Sequence, residues 1–163
     1  MTSLARGSTT ASEQVAGPAE VIEHYLREHE IRYEHPAEGD WVLLLRGEKK
    51  HAITILLAVR ERTLALESFF IRRPAENRDA VYAMLLRANM RTYGIRFALD
   101  DVEDVFIVGR LPLEAVTDDE LDRLLGAVLT TADEMFMPAI EVGFASYLAR
   151  DMAWRAAQSP TPR

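Results

Sequence analysis

At 163 residues, with 48% hydrophobic and 28% charged side chains, the chain has the composition of one globular domain with a sizeable core, not of a disordered polypeptide. Its net charge of −7 argues against nucleic acid or an anionic membrane as general partners, since both require clustered Lys and Arg. The absence of cysteine excludes disulfides, thiolate nucleophiles and Cys-based zinc sites.

No apolar run is long enough to span a bilayer, and the opening MTSLARGSTTASEQ lacks the apolar middle of a signal peptide, so the cytoplasm is the expected compartment. Residues 1–17 are rich in Ser, Thr, Ala and Gly and are expected to form a disordered arm. A single domain is expected over residues 18–157, with fraying over 158–163.

Gly17-Pro18 opens a first helix, with Val21, Ile22, Tyr25 and Leu26 as its apolar stripe and a stop near Glu30. An extended stretch, Arg32–His35, leads into a turn. Three apolar segments follow: Trp41–Leu45, His51–Val59 and Thr63–Ile71. The polar breaks between them are too short for crossover helices, so the segments read as antiparallel neighbours. In the middle segment Ile53, Ile55, Leu57 and Val59 share a large apolar face, and Ala52, Thr54, Leu56 and Ala58 form a smaller, mixed one.

Pro74 and Asn77 are both plausible starts of a second helix that runs to Tyr93. It carries two stripes, Val81, Met84, Leu85 and Ala88 on one side and Tyr82, Leu86 and Tyr93 on the other. Gly94 is its expected left-handed stop. Ile95–Leu99 and Val105–Arg110 form a hairpin across the acidic turn Asp100–Asp104. Thr117-Asp118-Asp119-Glu120 is a capping box, with Val116 and Leu121 as a hydrophobic staple. The helix it opens is expected to be long and broken at Pro138, which lacks a backbone donor, and then to continue over Ile140–Arg155.

The expected class is therefore α+β: an antiparallel five-stranded sheet flanked by helices, in the order α-β-β-β-α-β-β-α. This order, the run WVLLLRGEKKHAITILLAVRE and the passage RFALDDVEDVFIVGRLPLEAVTDDELDRLL resemble the YbjN-domain family over roughly residues 18–155. These are small bacterial proteins described as sensory transduction regulators, with a fold like that of class I type III secretion chaperones. The resemblance implies a protein-binding role and a homodimer, and supplies no catalytic residues.

The residues themselves offer little chemistry. His29 and His35 in HEIRYEH are six apart, not the four of H-E-x-x-H, and His24 and His29 face different sides of a helix, so no metal site is expected. Asp100, Asp101, Glu103 and Asp104 lack the Gly and the spacing of a calcium loop and read as a solvated turn. Arg60, Arg62, Arg72, Arg73 and Arg78 could form an anion-binding edge; with Glu61, Glu67 and Glu76 among them, an ion-pair rim is the preferred reading. No phosphate loop or nucleophile elbow is present.

The expected function is a non-enzymatic protein-binding or regulatory module without cofactor or metal. The alternative is a sensor or enzyme with a pocket between the sheet and the last helix. Tyr82, Leu86, Tyr93, Phe136, Met137, Phe144 and Trp154 are the candidate partner or dimer surface, because two stripes and adaptable Met suit a groove.

Overall fold

The computed structural model describes residues 16–158. The expected N-terminal arm and C-terminal fray fall almost wholly outside them; Gln158 closes the last helix. The elements are α1 (Pro18–Glu28), β1 (Tyr33–Glu34), β2 (Asp40–Leu45), β3 (Ile53–Val59), β4 (Thr63–Ile71), α2 (Arg78–Ala88), β5 (Ile95–Leu99), β6 (Val105–Pro112), a one-turn 3-10 helix, α3 (Asp118–Gly143) and α4 (Ala145–Gln158).

The sheet has six strands, not five, in the order β1-β2-β3-β4-β6-β5, all antiparallel. The added strand is the extended stretch after α1: Tyr33 lies opposite Leu43 and Glu34 opposite Val42. Two residues carry no alternation, so pairing here has no sequence signature.

Register places Trp41, Leu57, Leu66, Gly109 and Ile95 in one row across the inner face, with Leu43 opposite Ile55, and Ser68, Ile107 and Phe97 aligned beside them. Almost all of these are under 9% exposed. A bulge between Phe69 and Ile71 lets Phe70 and Ile71 both turn inward, at 1% and 3% exposure.

Helix α3 lies on this face. Its stripe Leu121, Leu124, Leu125, Val128, Ala132 and Ala139 is buried to 3% exposure or less. Thr117 caps it by accepting from the Glu120 amide at 3.2 Å, while the Glu120 carboxylate turns to the Tyr93 hydroxyl and to Arg123 instead of completing the capping box. Tyr25 ties α1 to α3 by donating to Asp122 at 3.1 Å; burial and that carboxylate push its phenol to about 12.

The helix does not break at Pro138. It runs through to Gly143, because burial of the stripe on both sides of the proline outweighs one lost backbone bond. The break comes at Phe144 (φ −139°), where the 74–77 loop takes over. The Gly143 carbonyl accepts from the amides of Ala75 and Glu76, the Val142 carbonyl from Asn77 Nδ2, and the Glu76 carboxylate accepts from the Ser146 amide (2.6 Å) and hydroxyl (3.0 Å). The loop thus stops one helix and caps the next. A Cβ on Gly143 would meet Pro74 at 3.0 Å, so close packing also favours glycine there.

Helix α2 is shorter than expected and ends at Ala88. Beyond it, the Asn89 side chain accepts from the Phe97 amide at 2.8 Å and Thr92 donates to the Ile95 carbonyl at 2.7 Å, both on the outer edge of β5. Gly94 is left-handed at φ 65°, but it does not stop the helix as expected: it lies past the Asn89 cap, in the turn into β5.

The β2–β3 turn is fastened to α3 by Asp133, whose carboxylate accepts from the amides of Lys49 (2.7 Å) and Lys50 (2.9 Å). The Lys50 amide is the main cause holding this carboxyl below its ordinary value of 3.8, against the opposing effect of burial and with help from Lys49. A depressed folded value means that the ionised form is the one the fold favours. Its contribution is complete above 3.8 and is lost as pH falls through the folded value. The melting-temperature gap between the wild type and Asp133→Asn should therefore narrow as pH drops from about 6 to about 2. Gly47 faces the same carboxylate, and a Cβ there would stand 2.3 Å from Asp133 Oδ1. Gly47→Ala should lower the melting temperature by roughly 2–10 °C, the effect of overpacking by about 1–3 kcal/mol in a chain of this size.

Candidate partner-binding surfaces

Helices α1, α2 and α3 bury the inner face; the opposite face of the sheet is left open. One row across it reads Val42, Leu56, Glu67, Val108 and Arg96, and the next reads Asp40, Ala58, Ala65 and Arg110. On the other side of the first row Leu44 stands opposite Thr54, and Phe69, Phe106 and Ala98 are aligned. Leu44 is 51% exposed and Phe69 is 41% exposed. Phe69 and Phe106 meet edge to face at 5.5 Å. Alternation in β3 predicts a smaller, mixed set, Ala52, Thr54, Leu56 and Ala58, on a face at least partly covered; of these Ala58 is buried, Leu56 is half-buried, and Ala52 and Thr54 are exposed.

A second apolar surface lies where α2 meets β5. Val81, Leu85 and Ala88 face the core, while Leu86 is 64% exposed. Tyr82, Leu86 and Leu99 surround a shallow apolar hollow of about 80 Å³. The Tyr82 hydroxyl is buried and has no hydrogen-bond partner among the described residues, and burial raises its phenol above the ordinary value, with Glu103 adding to the effect. Helix α4 does not cover this stripe: it buries none of its own residues, and Tyr147, Met152 and Trp154 are exposed along it.

The seven residues expected to form one partner surface are therefore spread over several places. Tyr82 and Leu86 share the α2–β5 hollow. Tyr93, past the end of α2, reaches Glu120 at the start of α3. Phe136 packs beside Phe70 under the Lys50 ammonium, 5.0 Å from the ring centre, and burial lowers the affinity of that ammonium for its proton. Met137 is half-buried, Phe144 packs against the core at the helix break, and Trp154 stands free on α4.

Several charged groups of the rim have local partners. Arg60 pairs with Asp40 at 2.6 Å, and Arg73 and Arg78 reach Glu103 at 3.6 and 3.4 Å. The rim is thus an ion-pair rim for these three, with partners other than Glu61, Glu67 and Glu76, while Arg62 and Arg72 make no ion pair among the described residues. His24 lies 3.5 Å from Asp118, His35 lies 3.2 Å from Glu23, and His29 stacks on Tyr25. Among the described residues no three His, Asp or Glu side chains converge on a metal position. Arg96 and Arg110, on the open face, went unrecognised in the sequence; strand pairing is what brings them together.

The sequence model of the YbjN family, described as "Putative bacterial sensory transduction regulator", matches residues 18–141. The chain belongs to this family. An uncharacterized protein of Mycobacterium tuberculosis is 41% identical over 140 residues, covering 83% of this chain and 76% of that protein. One from Mycobacterium leprae is 35% identical over 152 residues, covering 90% and 83%. Among solved structures, the fold is shared with YbjN of E. coli, at TM-score 0.53 and 12% identity over 76% of this chain and 91% of that one. It is shared equally with the Yersinia pestis type III secretion chaperone SycH, crystallised with a fragment of YscM2, at TM-score 0.53 and 18% identity over 72% and 98%. The ExoU–SpcU heterodimer of the Pseudomonas aeruginosa type III system matches at TM-score 0.53 and 15% identity over 71% and 94%. Helix α4 lies beyond the stretch that the family model matches.

In the acidic turn, Asp100 accepts from the amides of Val102 (3.0 Å) and Asp104 (2.9 Å), Asp104 accepts from the Arg73 amide at 2.7 Å, and Glu103 faces two arginines. Carboxylates committed in this way hold the turn itself. Titration calorimetry with calcium or magnesium should show no micromolar binding, and a saturable isotherm abolished by Asp101→Asn would contradict this.

Proposed function

We propose that the chain is a non-enzymatic, cytoplasmic regulatory module that holds a segment of a partner protein against the open face of its sheet. The observation that carries this reading is the exposed row around Leu44, Phe69 and Phe106 on a sheet whose other face is filled by α3. The alternative reading, a sensor or enzyme pocket between the sheet and the long helix opened by Thr117, meets a filled space under α3, where Leu121, Leu124, Leu125 and Val128 are buried. One structure sharing this fold is, by its description, a secretion chaperone in complex with a protein fragment, and another is a heterodimeric complex from a type III secretion system, which supports the same reading here.

The α2–β5 hollow is the proposed homodimer surface. An exposed Leu86 next to a hollow lined by Tyr82 and Leu99 offers both a projecting side chain and a recess, the two parts that a two-fold interface pairs, and water contact at such a patch would otherwise favour aggregation. Light scattering should give twice the 18.4 kDa chain mass, and Tyr82→Asp with Leu86→Asp should return a monomer. A mass near one chain at all concentrations would remove the dimer. Affinity capture from the native cell, followed by mass spectrometry, tests the open face: Leu44→Asp with Phe69→Asp should lose a partner that the wild type and the α2 variant both retain. An identical set of captured proteins in both would refute docking on this face.

A further inference from the structure

The open face is not evenly apolar. Towards β6 and β5 it sinks into a trough of about 500 Å³ whose floor includes the small side chains Ala58 and Ala65 and the half-buried Val108. Its lining includes three arginines, Arg60, Arg96 and Arg110, and one carboxylate, Glu67. Arg60 is engaged by Asp40. Arg96 and Arg110 are exposed and, among the described residues, their side chains make no hydrogen bond or ion pair; the same holds for the Glu67 side chain.

Register sets the geometry. Arg96 stands opposite Val108 on β6, and Arg110 is two residues farther along that strand on the same face. Diagonal neighbours of this kind lie about 7–8 Å apart, within mutual reach of long side chains. Two like charges placed so on a sheet repel, and the chain has no shortage of carboxylates to neutralise them, with 26 acidic against 19 basic residues. Arginine above small side chains gives planar donors at the rim and room for a side chain on the floor.

We propose that this trough takes the acidic part of the docked partner segment: carboxylates met by Arg96 and Arg110, with a small apolar side chain seated over Ala58 and Ala65. The proposal rests on the reading of the open face as the docking face and adds the chemistry of its occupant. Residues 1–15 carry one Arg and one Glu and residues 159–163 one Arg, so neither stretch supplies the paired carboxylates that the trough calls for.

The test uses the full chain and three short labelled peptides that share Leu and Ala positions and carry Glu, Gln or Lys at the others. Binding is read by fluorescence anisotropy at low salt. The Glu peptide should bind at least about tenfold tighter than the Gln peptide, the margin expected of charge-assisted bonds to two arginines. That margin should vanish in Arg96→Gln/Arg110→Gln, whose melting temperature should match the wild type because neither side chain holds the fold. It should also shrink as salt is raised. Equal binding of Glu and Gln peptides, with both lost in Leu44→Asp/Phe69→Asp, would overturn the acidic preference and leave the docking face standing. Failure of all three peptides to bind would overturn the proposal together with the docking face. If the arginine variant instead dissociates a dimer, the acidic occupant is a second copy of this chain, and the partner-segment proposal is wrong.

Discussion

One asymmetry governs this molecule: its helices bury a single face of the sheet. Burying α3 along that face removes Leu121, Leu124, Leu125 and Val128 from water together with the inner row of the strands. At about 25 cal/mol per Å² of apolar surface, this is the dominant stabilising contribution, and it needs only one sheet face. The other face is then free of structural duty. Its Leu44, Phe69 and Phe106 are larger and less polar than a solvated face requires, which is why that face reads as a binding surface.

Much of this was legible in the chain. The three central strands, the β5–β6 hairpin, the Thr117 cap and the inward set of β3 all follow from alternation and turn chemistry, because each is decided by neighbours in sequence. What escaped was decided by neighbours in space. β1 exists because β2 offers it an edge. α3 passes Pro138 because its stripe is buried beyond it, and it stops at Phe144 because the 74–77 loop takes its last carbonyls. Asn77 illustrates the same limit: it sits at φ 50°, and its side chain bonds the Val142 carbonyl, 65 residues away, rather than the helix it precedes.

The candidate surface was legible only in part. Two stripes on α2 implied more apolar surface than one sheet can cover; of the second stripe, Leu86 and, past the helix end, Tyr93 are exposed. Phe136 and Phe144 looked equally available in sequence, yet both pack against the core, because spacing on a helix identifies a shared stripe and not what lies over it. Arg96 and Arg110 are 14 positions apart in sequence, and nothing local to either marks it. Only the pairing of β5 with β6 makes them neighbours.

The edges of the sheet bear on how an occupant would engage it. A sheet can receive a peptide by extending its ladder or by packing side chains on its face. Extension is obstructed at both ends here. β1 offers two residues. On β5, Asn89 accepts from the Phe97 amide, its own amide approaches the Phe97 carbonyl at 3.4 Å, and Thr92 takes the Ile95 carbonyl. The Asn89 side chain thus stands where the backbone of an added strand would run, a common way of blunting an edge. On the proposed reading, a partner segment is left with the face, where recognition depends on side chains: apolar area would supply most of the affinity, and the charges that rim the trough would decide which segments are accepted.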